Sequence, residues 1–210
     1  MPSLLFQANE GSMELIFEDL ISSFIETNIG ISKHFLSLEL ANNLKQNLIV
    51  LHHNKLLIAA GTGNADKLSY NTAVRSDAIY WLDKSHNNPF ENEFLLQIED
   101  FIKYLNMSCY AGITDYEFHY SYFEIGSFFL KHLDQFKNNS SRKYSLISYL
   151  NNDWQTQDGG ELLIHQSPNN QLISPTQGKT VLFKSNELFH EVLVTNKTRM
   201  SVTGWLKGNG

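Results

Sequence analysis

Apolar residues recur at helical spacing through the first half of the chain and at alternate positions through the second. Leu15, Ile16, Leu20, Ile21, Phe24 and Ile25 mark one amphipathic helix, because residues three and four apart share a helical face. Leu36, Leu38, Leu40, Leu44, Leu48 and Leu51 mark a second, less regular one that ends at His52-His53, where the helix dipole suits polar or positive groups. Pro89 opens a third, along which Phe90, Phe94, Leu95, Ile98, Phe101, Ile102 and Leu105 face one way. Between the second and third helices, a Gly- and Asn-bearing stretch from Gly61 to Asn71 precedes Ala78-Ile79-Tyr80-Trp81-Leu82. The latter, rich in β-branched and aromatic side chains, reads as a strand.

Beyond residue 110 the pattern shortens to strand length. Candidate strands cover 116–123, 127–133, 143–150, 160–165, 171–174, 179–183, 190–194 and 199–206, punctuated by Gly126, Asn138 to Ser141, Asp158-Gly159-Gly160, Pro168-Asn169-Asn170 and Gly178. Many short strands at close spacing predict a two-sheet jelly roll, the double-stranded β-helix. With helices segregated to the first half, the expected class is α+β, a jelly-roll core buttressed by N-terminal helices. No repeat or linker divides the chain. A single domain over 1–210 is expected, with 1–110 as helical support and loop region and 111–210 as the core.

Composition narrows the class further. The chain has 210 residues, 42% hydrophobic and 18% charged, the balance of a soluble globular protein. A net charge of −6 argues against a nucleic-acid binder, which would carry a basic stripe. No apolar run reaches the roughly 18 residues of a membrane span. The N-terminus lacks the basic and apolar regions of a signal peptide. Gly11-Ser12-Met13 resembles a cloning junction, so the native start is expected at Met13. Cys109 stands alone, so no internal disulfide can form; a reducing, cytoplasmic setting is expected, with Cys109 as a small buried hydrophobe.

One constellation carries chemistry. His132-Leu133-Asp134 places an imidazole and a carboxylate two residues apart, and His190 supplies a second imidazole from another strand. On a strand His132 and Asp134 would project together and Leu133 would face the opposite layer. Two His and one carboxylate can occupy one face of an octahedral Fe(II) ion and leave the other open. Alone, a His-x-Asp step is weak, because one core His and one solvated Asp satisfy it. Arg199 strengthens it. A doubly charged iron plus one guanidinium balances one carboxylate plus a dicarboxylate such as 2-oxoglutarate, and a buried site must be balanced. Arg199 can grip the distal carboxylate in a bidentate fork, and Ser201 shares its face. His119 reads as a half-buried strand residue. His34, His86 and His165 have no evident partner.

The motifs Tyr122-x-x-x-Gly126-x-x-Phe129-x-x-His132-x-Asp134, Tyr149-Leu150-Asn151-Asn152-Asp153-Trp154, Gly159-Gly160-Glu161-Leu162, His190-Glu191-Val192 and Arg199-Met200-Ser201-Val202-Thr203-Gly204-Trp205 resemble, in order and spacing, the prolyl 4-hydroxylase branch of the Fe(II)/2-oxoglutarate dioxygenases. The likeness is to hypoxia-inducible-factor prolyl hydroxylases and their bacterial relatives. It covers about residues 75–206. The resemblance implies His132, Asp134 and His190 as iron ligands. It implies Arg199 on 2-oxoglutarate, with Tyr149, Tyr122 and Ser201 as hydrogen-bonding neighbours and Ile147 and Leu162 along the methylene chain. Trp205, Arg142, Asp77 and Arg75 would border the substrate. Phe129 stands where the family usually has Tyr, which removes a hydroxyl. Asp77 is expected to pair with Arg142 across the cleft, and 61–71 to form a lid over the substrate.

The implied cofactors are Fe(2+), 2-oxoglutarate and O2, with ascorbate as a reductant. The implied reaction is hydroxylation of proline in a peptide or protein, coupled to conversion of 2-oxoglutarate to succinate and CO2. The same machinery acting on a free amino acid or small metabolite, and a non-catalytic metal- or ligand-binding jelly roll, remain alternatives. Target, ring position, oxygen affinity and oligomeric state are not legible.

Overall fold

The computed structural model describes residues 4–61, 71–135 and 138–209, with side chains from residue 13 onward. Most of the segment expected as a lid, 62–70, lies outside the described residues.

The first half supplies helices α1 (Leu4–Thr27), α2 (Leu38–His53) and α3 (Pro89–Cys109), with short strands β1 (Ile29–Ser32), β2 (Ile58–Ala59) and β3 (Ala78–Trp81) between them. The caps follow local chemistry. The Ser37 side chain accepts from Leu40 N–H at the start of α2. At α3 the Asn88 side chain accepts from Phe90 and Glu91 N–H, just ahead of Pro89. Each satisfies donors that a helix start leaves unpaired. His52 and His53 end α2 as expected.

The second half runs β4 (Ile113–Phe123), β5 (Phe129–His132), β6 (Arg142–Tyr149), β7 (Leu162–His165), β8 (Gln171–Ile173), β9 (Thr180–Lys184), β10 (Phe189–Val192) and β11 (Arg199–Gly208). Every one falls on a segment of alternating pattern. β1 and β2 were not anticipated; they are too short to show a period of two. The strands form two antiparallel sheets, a larger one ordered β1-β9-β6-β11-β4-β3-β2 and a smaller one ordered β5-β10-β7-β8.

Alternation sorts the larger sheet into two faces. Phe118, Tyr120, Leu146, Leu182, Val202 and Leu206 pack with the three helices in one core that includes Leu20, Leu44, Leu48, Phe94, Ile98 and Phe101. Ile147, Tyr149, Val181 and Phe183 point the other way and meet Leu162, Ile164 and Ile173 of the smaller sheet. The helices are therefore a buttress and the space between the sheets is the interior of the roll. Gly204 marks how tightly the layers fit: a Cβ there would sit 2.3 Å from the Phe118 ring. On α1 the buried face is Phe17, Leu20 and Ile21, while Leu15 and Ile25 are exposed, so the expected stripe is rotated by about one position.

Candidate active site

The site lies at one end of the inter-sheet space, and strand register assembles it. β5 and β10 pair with His132 opposite His190, which sets their ring centroids 4.2 Å apart. β5 ends at His132, so Asp134 lies past the strand in a bend. Its carboxylate still reaches both rings: Oδ1 is 3.4 Å from His132 Nε2 and Oδ2 is 3.4 Å from His190 Nε2. Leu133 lines the cavity instead of facing away. The strand argument thus brought the right side chains together, while the chain itself turns where the strand was expected to continue.

Both imidazoles are fixed in one tautomer. His132 Nδ1 lies 2.8 Å from the Leu130 carbonyl, and His190 Nδ1 lies 3.1 Å from that of Leu188. A carbonyl only accepts, so each Nδ1 carries a proton and each Nε2 is the nitrogen turned toward Asp134. His132 Nε2 is buried without a hydrogen-bond partner among the described residues. Burial holds the His190 pKa down, to about 4, which keeps it neutral as a metal ligand requires. Asp134 stays ionised: burial opposes this, but His190, His132 and the Ser145 hydroxyl together hold its pKa below the usual carboxylate range. Ser145 donates to Oδ2 at 2.6 Å and is itself 2.9 Å from Ser185 Oγ. One ligand atom from each of His132, Asp134 and His190 can be chosen so that all lie within 4.8 Å of one another. Two imidazoles that present Nε2, one anchored carboxylate and an orphaned Nε2 fit a divalent ion such as Fe(II).

Arg199 begins β11 on the same face as Ser201, Thr203 and Trp205, and is only 2% exposed. Its Nε donates to the Gly160 carbonyl at 2.8 Å, and its guanidinium packs over Phe123 and Tyr149 at 4.9 and 5.1 Å from the ring centroids. Among the described residues no carboxylate pairs with it. Burial lowers its pKa, an effect that Tyr149 and Asp77 oppose. Among the described residues the buried Tyr149 hydroxyl has no hydrogen-bond partner; burial raises its pKa to about 12 against the pull of Arg199. A buried, unpaired cation beside an unsatisfied hydroxyl is an anion site by charge and by hydrogen bonding.

A cavity of about 450 Å³ joins the two features and includes Ile147, Leu162 and Arg199 at one end and Trp81, Arg142 and Trp205 in its wall. Tyr149 and Ser201 lie in the same layer without forming its wall; the Ser201 hydroxyl is 3.2 Å from that of Thr203.

Several expectations fail in informative ways. Asp77 does not pair with Arg142. The Arg75 guanidinium takes it, at 2.8 and 2.7 Å, while Arg142 pairs with Glu117 at 2.7 Å and packs 3.3 Å over Trp205. Both acids are nearer neighbours than the cross-cleft partner. Tyr122 is not beside Arg199. It falls on the helix-facing phase of β4 and stacks on His52 at 3.9 Å; Phe123 takes the place facing Arg199. Cys109, at the end of α3, is exposed. His86 and His165 do have partners, Glu91 at 3.0 Å and Glu191 at 2.9 Å. His119 is no half-buried bystander: it is buried and lines the cavity. Ser145 and His119 were both missed, although Ser145 shares its strand phase with Ile147, and His119 pairs with Thr203, which is in phase with Arg199 and Trp205 on β11.

Residues 117–207 match the family described as the 2OG-Fe(II) oxygenase superfamily. The chain is similar to a crystal structure of a Pseudomonas putida prolyl-4-hydroxylase, with 26% identity and a TM-score of 0.83 over 92% of this chain and all of that one. The fold is shared with a Trichoplax adhaerens prolyl hydroxylase in complex with a hypoxia-inducible-factor oxygen degradation domain peptide fragment, at 20% identity and a TM-score of 0.83, covering 98% of this chain and 94% of that one. It is also shared with a viral collagen prolyl hydroxylase from Paramecium Bursaria Chlorella virus-1 in complex with 2OG, at 18% identity and a TM-score of 0.58, covering 87% and 97%.

Proposed function

We propose that this chain is a member of the 2OG-Fe(II) oxygenase superfamily and that it hydroxylates prolyl residues of a peptide or protein. It is a 2-oxoglutarate-dependent dioxygenase, and its cofactors are Fe(2+), 2-oxoglutarate and O2. When bound, they supply the oxidation: one oxygen atom of O2 enters a substrate C–H bond, and the other enters succinate as 2-oxoglutarate loses CO2.

The chain's own residues position and balance. His132, Asp134 and His190 would hold the iron, with Ser145 fixing the carboxylate. Arg199 and the Tyr149 hydroxyl would take the distal carboxylate of 2-oxoglutarate, and Ile147 and Leu162 would flank its methylene groups. Ser201 would support that end through Thr203. Arg142, Trp205, Trp81, Asp77 and Arg75 would border the substrate. The layered walls exclude water from a reactive oxidant. The observation that carries the reading is a His/Asp/His cluster in one cavity with a buried Arg199 that no described carboxylate pairs.

The peptide substrate is favoured by the broad aromatic mouth, where Trp81 is 41% exposed, and by the peptide bound to the similar Trichoplax protein. The lone Cys109 favours a cytoplasmic setting, and among the described residues no helix is long and apolar enough to cross a membrane. We include ascorbate as a supporting reductant. Host-cell proteins incubated with enzyme, iron and 2-oxoglutarate should gain the mass of one oxygen atom at prolyl residues, with matching succinate. Succinate without protein modification, together with turnover of free proline, would replace the peptide by a small metabolite.

A further inference from the structure

We propose that His119 reads the substrate: its Nε2 accepts a hydrogen bond from an N–H or O–H group beside the carbon to be oxidised, while Trp205 Nε1 donates to a neighbouring acceptor. In a peptide those two groups are the N–H and C=O of the amides adjoining the target residue. The assignment deepens the peptide reading above and rests on it for the identity of the donor.

The position follows from register. On β4 and β11, Phe123 pairs with Arg199, Ser121 with Ser201, His119 with Thr203 and Glu117 with Trp205. His119 is therefore four residues along β4 from Phe123, roughly 13 Å at the rise of a strand. That takes it from the anion end of the cavity to the aromatic end. There it lies between two indoles, 5.0 Å from Trp81 in edge contact and 5.6 Å from Trp205.

The ring's chemistry is fixed from behind. His119 Nδ1 is 3.0 Å from the Tyr120 carbonyl and 3.2 Å from Ser121 Oγ. The carbonyl requires a donor, so Nδ1 is protonated and Nε2 is left with a lone pair. No described residue bonds that Nε2, although the ring is 2% exposed and lines the cavity. Across the same recess the buried Trp205 Nε1 has no acceptor among the described residues. A lone acceptor and a lone donor in an aromatic recess are costly in an apolar setting unless a ligand satisfies both. Arg75, Asp77 and Arg142 are the charges that act on the imidazole. Burial, the largest influence, and the two arginines keep it neutral, with its pKa lowered to about 4. At neutral pH its Nε2 accepts and does not donate.

An apolar side chain in this place could hold a ring but could not select an amide. His119 thus adds selection to a recess that would otherwise recognise shape alone. A site with a buried hydrogen-bonding group discriminates against analogues that lack the partner.

The test is a cycle between protein and substrate. The probes are N-acetylated prolyl peptides, the same peptides N-methylated at the amide following proline or at the one two residues before it, and free proline with its N-methyl derivative. Wild type, His119→Gln and His119→Leu are compared by KM and kcat for substrate oxidation, with uncoupled 2-oxoglutarate turnover as a folding control. The ¹⁵N shift of the His119 ring and the Trp205 indole N–H resonance report direct contact. Deleting the right donor should lower kcat/KM of wild type about tenfold, the scale of one net hydrogen bond. It should cost His119→Leu nothing further, and His119→Gln should recover part of the difference. Equal losses in wild type and His119→Leu, or an unmoved ring shift on saturation, would overturn the assignment. If only free proline binds and its N-methyl form shows the same cycle, the peptide reading fails and the role of His119 stands. Binding by neither set overturns both.

Discussion

At the scale of the residue, the site divides into groups whose charge was legible and groups whose direction was not. Arg199 could be singled out because an Arg following a second His supplies the charge that a dicarboxylate needs. Among the described residues no acid pairs with it. Arg199→Ala should therefore raise the Kd for 2-oxoglutarate at least tenfold while leaving metal affinity within about twofold, since a charge-assisted pair contributes on the order of 1.5–3 kcal/mol. Isothermal titration with Mn(II) and then 2-oxoglutarate separates the two, and an unchanged keto-acid affinity would remove the assigned role. Tyr122 was misplaced for the opposite reason. Its spacing to His132 fits the family motif, but the turn between β4 and β5 sets which phase of β4 faces inward, and spacing alone does not report that. His119 was undervalued because a lone strand His carries no signature; its worth comes from what surrounds it. Its pKa of about 4 also predicts a pH effect. The unfolded chain, with an ordinary imidazole near 6.5, binds a proton between those values and the folded chain does not. Stability should therefore fall as pH drops from about 6.5 toward 4, with His119 contributing at most about 1.4 kcal/mol per pH unit. Denaturant midpoints of wild type and His119→Gln at several pH values check this; parallel slopes would contradict it.

At the scale of the element, alternation located the strands of the second half because each has one face on the helices and one on the inter-sheet space. Strand β5 shows the limit. Its pattern gave His132 the correct face, yet the chain leaves the strand before Asp134, and the carboxylate is held by Ser145, itself bonded to Ser185, instead of by the pleat. No period encodes a hydroxyl pair reaching in from β6 and from just beyond β9. The turn before β7 is a second such device. Gly160 adopts a φ of +65°, and a Cβ there would meet Thr195 Oγ1 at 2.8 Å and Arg199 Cδ at 3.2 Å, while its carbonyl holds Arg199 Nε. Gly160→Ala should destabilise the fold by about 1–3 kcal/mol, the range for strained backbone. It should also weaken 2-oxoglutarate more than metal, because the side chain it crowds is the anion's partner. Thermal unfolding with keto-acid titration tests both halves, and a loss confined to metal binding would place the turn's influence elsewhere. The cap of α3 gives a contrast: Asn88→Ala should cost roughly 1 kcal/mol and leave both affinities alone, since that helix only buttresses the sheet.

At the scale of the whole molecule, the metal cluster is the place where the smaller sheet, the Asp134 bend and the larger sheet meet. β5 and β10 give the imidazoles, and Ser145 on β6 of the larger sheet holds the carboxylate. Among the described residues the buried His132 Nε2 has no hydrogen-bond partner, and the Asp134 carboxylate lies 3.4 Å from each ring's Nε2. An ion that binds only the folded chain must stabilise it by mass action. At a hundredfold excess over Kd this amounts to about 2.7 kcal/mol, or roughly 5–10 °C for a chain of this size. Mn(II) or Zn(II), which avoid redox turnover, should raise the melting temperature of wild type by that amount and leave His190→Ala unmoved. 2-Oxoglutarate should then add a further rise only when metal is present and Arg199 is intact, because the keto acid needs both ends of the cavity. The order matters for the interpretation. A rise with 2-oxoglutarate alone would mean that Arg199 binds the anion without the cluster, and the two features would be separate sites. A full metal-induced rise in a variant lacking His132, Asp134 and His190 would move the ion elsewhere, to pairs such as His86 with Glu91 or His165 with Glu191, and the oxygenase chemistry would lose its centre.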